Sequence, residues 1–142
     1  RRFFMLPVNC GSHADYQHFV VTNFRKYYPD PDALARSTWD IIERFWNLDL
    51  SFTDTFMADK YSKFGPTPRT PSCMQRSYLL SIDFKVTSLT EWAAQLKMNP
   101  LYAILSGFEP GNTPGVGTFY DFINRLWNSD YTQFFLKEAL IL

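Results

Sequence analysis

The side chains best suited to a chemical role are six cations between residues 60 and 97. This segment carries six basic and two acidic residues, whereas residues 1–59 carry six and eight and residues 98–142 carry two and four. Lysine and arginine donate charge-assisted hydrogen bonds to phosphate oxygens, so the segment could contact a nucleic-acid backbone, although charge alone favours a solvated surface. The candidate residues for phosphate contact are Lys60, Lys63, Arg69, Arg76, Lys85 and Lys97, with Arg125 as an outlier.

A second candidate site is the loop over residues 108–118, which contains three glycines and two prolines and leads into an amphipathic segment. Free N–H groups at a helix start can bind an anion, so Gly115, Gly117 and Thr118 are predicted to form an anion seat. The loop is not a Walker A motif, because the Gly-Lys-Ser or Gly-Lys-Thr ending is absent. A tight connection between helices is the alternative, and the composition favours it.

Catalytic and metal chemistry have little support in the residue pattern. Cys10, His13 and His18 supply three of the four ligands that zinc normally recruits, and the other cysteine, Cys73, is distant in sequence. No nucleophile with an adjacent base is recognisable. The chain itself is therefore predicted to be non-catalytic, with no metal and no cofactor. Two distant cysteines also fit a reducing compartment, so the predicted location is the cytoplasm.

Overall charge and hydropathy limit the partners further. The chain has 142 residues with 14 basic and 14 acidic side chains, and this neutrality argues against an extended nucleic-acid groove. The basic segment could instead be an ordinary solvated surface. No apolar run reaches the roughly 20 residues of a membrane-spanning helix, so no membrane partner is expected.

These candidate residues must be positioned by helices, since apolar residues recur at helical spacing almost throughout. We predict an all-α fold, a compact bundle of about six to seven short helices. Ser12 begins the first helix, and its core face continues to Tyr27 before Pro29. A second helix uses Ile41 and Phe45. The third starts near Thr53 or Asp54 and is expected to end at residues 65–66.

Helix-capping signals are clearest in the C-terminal half. Residues 88–91 form a capping box, and Asn99, Pro100 and Gly107 delimit a short helix. Before them, Met74, Tyr78 and Ile82 lie one turn apart on one face. After them, Thr118 is predicted to cap a helix with Phe119 and Phe122 in its core face. A final helix is expected near residues 132–142.

Residues 65–72 contain three prolines and cannot continue a helix, so they are predicted to form a loop near the middle of the chain. The loop separates N-terminal helices in residues 1–64 from a helical part in residues 73–142. At this length both parts are expected to share one core, which gives a single domain over residues 1–142. The start on Arg1 and the apolar end suggest a fragment of a longer protein.

Four segments carry a resemblance to a known family. They are RSYLL (76–80), SLTEW (88–92), NPLYAILSGF (99–108) and PGVGTFYDFINRLW (114–127). Together they resemble the N-terminal domain of DDE-type insertion-sequence transposases. The likeness covers about residues 59–127, and its most specific part is residues 99–127.

The resemblance implies a non-catalytic helical region that precedes an RNase H-like domain, where three carboxylates would hold two metal ions. Divalent metal is thus expected only in that missing catalytic domain. The implied function is a contribution to DNA binding and to transpososome assembly in DNA transposition. The implied partners are DNA at the terminal repeats of the element and the missing catalytic domain, and a homodimer stays open.

Three other interpretations remain open. The chain could be a helical protein-interaction or oligomerisation domain without direct DNA contact, or a stand-alone enzyme with a pocket of convergent titratable groups. A helix-turn-helix around residues 85–87 would use residues 88–97 as its reading helix, with Gln95 as the side chain best suited to contact bases. A contiguous face of the cations would favour DNA, and a large apolar patch would favour a protein partner.

Overall fold

The computed structural model describes residues 12–57 and 69–127. These residues form seven α-helices and one 3₁₀ turn, and no strand occurs among them, which confirms the all-α prediction. The helices are α1 (His13–Tyr27), α2 (Arg36–Asn47), α3 (Phe52–Met57), α4 (Pro71–Asp83), α5 (Leu89–Met98), α6 (Pro100–Ser106) and α7 (Val116–Trp127), with the 3₁₀ turn at Pro31–Ala33. The predicted helix end at 65–66, most of the proline-rich loop and the final helix at 132–142 lie outside the described residues.

Helix α1 forms where its cap and its apolar spacing predict. The Ser12 Oγ accepts a hydrogen bond from the Asp15 N–H at 3.1 Å, which satisfies one of the free donors at the helix start. Tyr16, Phe19 and Val20 are buried, as the spacing indicates. Tyr27, predicted on the same face, is exposed because the helix runs out past the core in its last turn.

Helix α6 lies at the centre of the described fold. It packs against α1, α4 and α5, while α7 packs against α4 and α5, and α3 against α4. Phe45 from α2 belongs to the same apolar cluster as Trp92, Leu105 and Phe119 from the C-terminal helices. Burial of such side chains contributes about 1.5–3 kcal/mol each, so this cluster holds the described helices together.

The predicted caps of α5 and α6 are confirmed. The Ser88 Oγ accepts from the Glu91 N–H at 3.3 Å, and the Asn99 Oδ1 accepts from the Leu101 N–H at 3.0 Å. Pro100 occupies the first position of α6, where no intrahelical N–H bond is needed. Gly107 ends the helix at φ 102°, a left-handed conformation that a side chain would strain.

Two predicted helix starts are wrong, by three residues for α7 and by two for α4. Helix α7 begins at Val116, so Gly117 and Thr118 lie inside its first turn and Thr118 is not its cap. The N–H groups of Thr118 and Phe119 both donate to the Gly115 carbonyl, which makes the turn before Thr118 helical. Helix α4 begins at Pro71, so residues 71–72 belong to the helix and not to the loop. Proline fits there because its fixed φ is already helical.

The apolar stripe predicted for α4 is buried only at its start. Met74 is 1% exposed, whereas Tyr78 is 37% and Ile82 57% exposed. The first two turns of α4 are enclosed on all sides, and polar residues there are paired: the Thr53 Oγ1 donates to the Gln75 Oε1 at 2.6 Å. The helix then emerges from the core, which leaves its last apolar residues at the surface.

Candidate functional site

The predicted cations do not share one face. Lys85 and Lys97 are exposed, whereas Arg125 is half-buried. Lys60 and Lys63 lie outside the described residues. Arg69 and Arg76 are engaged within the fold, as described below, so the described part of the chain shows no contiguous cationic surface made of the predicted set.

Arg76 corrects the sequence prediction, because it is 1% exposed and cannot reach the phosphate of a DNA duplex from there. Its guanidinium carbon lies 3.8 Å from the centre of the Tyr16 ring, in a cation–π contact. One terminal nitrogen donates to the Ser106 carbonyl at 3.3 Å and lies 3.7 Å from the Cys73 Sγ. Arg76 therefore joins α4 to α1 and to the end of α6.

The chemistry around Arg76 explains how a cation is tolerated there. Ser106 is the last residue of α6, where the carbonyl groups carry the negative end of the helix dipole. The Tyr16 hydroxyl donates to the neighbouring Leu105 carbonyl at 2.7 Å, which fixes the ring against the guanidinium. Within residues 12–57 and 69–127 the Arg76 Nε finds no hydrogen-bond partner. The buried charge is thus held by the Tyr16 ring, the Ser106 carbonyl and the Cys73 sulfur, without an ion pair among these residues.

Arg69 makes hydrogen bonds to the glycine-rich loop, residues 108–118. Its terminal nitrogens donate to the Asn112 carbonyl at 2.7 Å and to the Asn112 Oδ1 at 3.2 Å, and its guanidinium lies over the Phe108 ring at 5.6 Å. Burial lowers the pKa of the Arg69 guanidinium from its ordinary value. These contacts brace the loop, so a phosphate would have to compete with Asn112 for the same donors.

The anion seat predicted at Gly115, Gly117 and Thr118 has an open surface, but its backbone N–H groups show little arrangement around a position for an anion. Gly115 and Gly117 are exposed, and a Cβ atom added at either position would meet no atom within 4 Å. No neighbouring group therefore comes so close that either position needs a glycine. The Thr118 N–H is used within the fold by the Gly115 carbonyl at 3.1 Å. The arrangement matches the alternative of a preorganised connection between α6 and α7.

Asp54 is a half-buried carboxylate that joins α3 to α4. It accepts from the Ser72 N–H at 2.8 Å and from the Ser72 hydroxyl at 3.0 Å. The pKa of Asp54 is raised above its ordinary value because burial disfavours the charged form, although both Ser72 hydrogen bonds and the Arg76 charge oppose this shift.

We expect Asp54 to make the protein less stable as the pH rises. Its folded pKa lies above the unfolded value of 3.8, so the folded state holds a proton that the unfolded state releases first. The free energy of unfolding should then decline from pH 3.8 upward, until the pH passes the folded pKa. Asp54→Asn keeps an oxygen acceptor for Ser72 but cannot titrate. Urea unfolding of both proteins across this range should show the variant gaining stability relative to the parent, whereas parallel curves would contradict the assignment.

A surface groove lies where α4, the turn after it, α5 and α7 meet. It encloses about 650 Å³ and is lined by Tyr78, Ser81, Ile82, Lys85, Val86, Thr87, Ser88, Leu89, Tyr120 and Ile123. We call it the α4–α7 groove. Ile82 and Tyr120 are 57% and 53% exposed at its edge. Sequence analysis placed Ile82 on one helix face with Met74 and Tyr78 but did not predict this groove, because no local signal shows where a helix leaves a core.

Lys85 adopts an unusual backbone conformation at the end of α4. Its φ is 62°, and it is the only residue other than glycine with positive φ among the described residues. The Lys85 N–H donates to the Ile82 carbonyl and the Val86 N–H to the Ser81 carbonyl, which is the Schellman arrangement. Glycine normally occupies this position, since a side chain there raises the energy by about 1–2 kcal/mol. The turn of the proposed helix-turn-helix is thus a tight helix end.

A second surface hollow of about 690 Å³ lies between α1 and α2. Trp39 and Trp46 line it beside Val20 and Phe24. Arg25, Arg36, Asp40 and Glu43 also line it, and Arg36 and Asp40 form an exposed ion pair at 3.6 Å. The Trp39 indole donates to the Pro31 carbonyl at 3.1 Å, so its ring position is fixed.

The structure also shows the surroundings of the histidines considered as zinc ligands and of Gln95. His13 is hydrogen-bonded through its Nε2 to the Trp46 carbonyl at 2.8 Å, and His18 is exposed. Cys10 lies outside the described residues. Gln95, the suggested base-reading residue, is half-buried. Among residues 12–57 and 69–127 no three His, Cys, Asp or Glu side chains come close enough to hold a metal ion. No helix in the same ranges combines the length and apolar character of a membrane span.

Comparison with known proteins identifies no relative of this chain. Models of protein families, curated proteins and solved structures all give no match to the chain. The resemblance to a family therefore has its only support in the sequence, over about residues 59–127.

Proposed function

We propose that this chain is the non-catalytic, helical N-terminal region of a DDE-type transposase. In this role it contributes to DNA binding and to transpososome assembly in DNA transposition. Its partners would be DNA at the terminal repeats of the element and the catalytic domain of the same transposase. Divalent metal and strand cleavage would belong to that catalytic domain. The protein would act in the cytoplasm.

The observation that carries the proposal is the arrangement of the resembling segments. Residues 88–92 cap and begin α5, residues 99–108 form α6 with both of its caps, and residues 114–127 form α7 with the turn before it. Trp92, Leu105 and Phe119, one from each segment, share one apolar cluster. The segments that resemble the family therefore fold as one supporting unit, which agrees with a scaffold role.

The DNA component of the proposal depends on the cations that remain available. Lys85 and Lys97 are exposed, and Lys97 lies in the last turn of α5, next to the negative end of that helix. Lys60 and Lys63 remain candidates from the sequence. Arg69 and Arg76 are withdrawn from the set, because Asn112 and the Ser106 carbonyl already engage them. A smaller set of contacts predicts a weaker interaction with a lower salt dependence.

A specific observation supports the second candidate, a helical protein-interaction or oligomerisation domain without direct DNA contact. Tyr78, Ile82 and Tyr120 are large apolar residues that are exposed together at the α4–α7 groove. Clustered apolar exposure marks protein contacts more often than DNA contacts, whose faces are strongly basic.

Binding to DNA distinguishes the two candidates. The full chain is titrated into a fluorescent duplex that carries the terminal repeat of its element and into a scrambled duplex, at several salt concentrations. If the DNA component is correct, Lys97→Ala weakens binding to both duplexes and lowers the slope of log affinity against log salt by about 1. The double change Lys60→Ala and Lys63→Ala lowers the slope by about 2.

Lys26→Ala is the matched control, since Lys26 is also an exposed helical lysine but lies on α1, outside residues 60–97. It should leave the salt slope unchanged. Absence of binding to either duplex at low salt would reject the DNA component and leave the interaction domain. Equal losses for the Lys26 and Lys97 variants would reject the assignment of the basic segment.

A further inference from the structure

Cys73 lies against the buried cation Arg76 in the first turns of α4. Its sulfur is 3.7 Å from one terminal nitrogen of Arg76, and the two residues are 3% and 1% exposed. A guanidinium does not lose its proton in a protein, and a buried charge is normally paired with an opposite charge. No carboxylate pairs with Arg76 in residues 12–57 and 69–127, so a counter-charge has to come from another group.

The other groups in contact with this guanidinium are neutral. The Tyr16 hydroxyl donates its proton to the Leu105 carbonyl at 2.7 Å, so Tyr16 presents a ring face and no negative charge. Ser106 contributes a backbone carbonyl. Among the described contacts of the guanidinium, the Cys73 thiol is therefore the group that can ionise to an anion.

Two acidic residues lie within electrostatic reach of Arg76 but do not replace the thiol. Asp54 is hydrogen-bonded to Ser72, and burial raises its pKa, which favours its neutral form. Asp49 is exposed, and its hydrogen bonds with Ser51 lower its pKa. Neither carboxylate forms an ion pair with Arg76 in the described ranges.

The position of Cys73 in the chain favours the ionised form. It is the third residue of α4, where the positive end of the helix dipole stabilises an anion. Arg69 carries a second positive charge close enough to interact with Cys73. Burial favours the protonated thiol instead, and so does the Gly107 carbonyl, which lies 3.8 Å from the sulfur and could accept from a thiol. Two cations and a helix start act together against these two effects.

We propose that Cys73 is a thiolate paired with Arg76, and that this pair is a modification site for small hydroperoxides, of which hydrogen peroxide is the smallest. The sulfur attacks one peroxide oxygen, so an S–O bond forms as the O–O bond breaks. Sulfur is oxidised to sulfenic acid while the peroxide is reduced, and the released hydroxide takes the sulfenic proton to leave sulfenate and water. The negative charge thus stays beside Arg76.

The guanidinium has capacity for the added oxygen. The Arg76 Nε is buried and has no hydrogen-bond partner in the described ranges, so it is available as a donor to a sulfenate oxygen. Because Cys73 is buried, the reaction is limited to oxidants of about the size of water. The proposal uses neither DNA nor a second chain, so it holds whether or not the proposed function is correct.

A pH titration of the full chain with Cys10→Ser tests the pair, because Cys73 is then the only cysteine. The ultraviolet absorbance of the thiolate should rise with a midpoint below about pH 7, whereas an ordinary thiol titrates near about pH 8.5. Circular dichroism confirms that the protein stays folded across the range. A midpoint above about pH 7 overturns the proposal without any change at Arg76.

Arg76→Met, made in the same background, should raise this midpoint by at least about one pH unit. It should also slow oxidation by hydrogen peroxide at about pH 7 at least about tenfold, as measured by mass spectrometry after trapping of the sulfenate with dimedone. Arg76→Lys keeps a cation and should recover most of both effects, which a purely structural role of Arg76 would not produce.

Arg44→Met is the matched control, since Arg44 is a partly exposed arginine whose partner Asp83 lies at the other end of α4. It should change neither the midpoint nor the oxidation rate. Equal shifts for the Arg76→Met and Arg44→Met variants would contradict the pair. Oxidation of Cys73 as fast in Arg76→Met as in the parent would contradict the modification site.

Discussion

Arg76→Ala is expected to lower the free energy of unfolding by about 2–5 kcal/mol, the range of large-to-small changes in a core. The side chain is 1% exposed, so its removal leaves a space between α4, α1 and the end of α6. It also removes the donor of the Ser106 carbonyl and the cation over the Tyr16 ring. Urea denaturation followed by circular dichroism measures the loss.

Arg76→Met is the control that separates volume from charge. Methionine fills much of the same space but carries no charge, so the cost of burying a charge without a carboxylate partner disappears together with the contacts of the guanidinium. We expect it to retain stability within about 1.5 kcal/mol of the parent, because only the hydrogen bond and the ring contact are lost. Arg76→Met should also bind any duplex that the parent binds. A stable alanine variant, or a methionine variant that is folded but deficient in DNA binding, would contradict the core role.

The contrast between Arg76 and Ser88 shows which features could be predicted from the sequence. A cap depends on residues within four positions, so the Ser88, Asn99 and Gly107 assignments are correct to the residue. The burial of Arg76 depends on Tyr16 and on the end of α6, which are 60 and 30 positions away in the chain. A cation inside a basic segment looks like surface unless those distant contacts are known.

Helix α4 illustrates a second limit. Period 3.6 identifies the face that packs when one side of a helix meets a core. The first turns of α4 are surrounded, so Gln75, Arg76 and Ser77 are buried with Met74, and the pattern there carries no information about a face. Where the helix emerges, the same pattern continues at the surface through Ile82. The α4–α7 groove could therefore not be predicted, since burial along α4 is decided by α3, α6 and α7.

Lys85 shows both limits of prediction from the sequence. The sequence identified it as a cation near a turn, which is correct, but its positive φ and its place in the groove follow from the way α4 ends. A residue selected only for backbone reasons would be glycine. The lysine at this position therefore has no backbone rationale, and like Ile82 it is exposed.

The second large effect is expected at Trp92, which is fully buried and stacks on Tyr102 at 5.0 Å between ring centres. Trp92→Ala should lower the free energy of unfolding by about 3–5 kcal/mol, because the ring joins α5 to α4 and α6. Its indole N–H donates to the Ser77 Oγ at 2.9 Å inside α4. Urea denaturation followed by circular dichroism again gives the loss.

A double-mutant cycle isolates the hydrogen bond from the packing of the ring. Trp92→Phe keeps most of the ring contacts but removes the N–H, and Ser77→Ala leaves that N–H buried without its acceptor. Each single change should cost about 1–3 kcal/mol, and the double variant should be more stable than their sum predicts by about 1 kcal/mol. Val20→Ala, made at a buried residue of α1 that belongs to a separate apolar cluster, should combine additively with Trp92→Phe. Additive losses for the Ser77 and Trp92 changes would mean that the bond contributes nothing, and that α5 is held to α4 by packing alone.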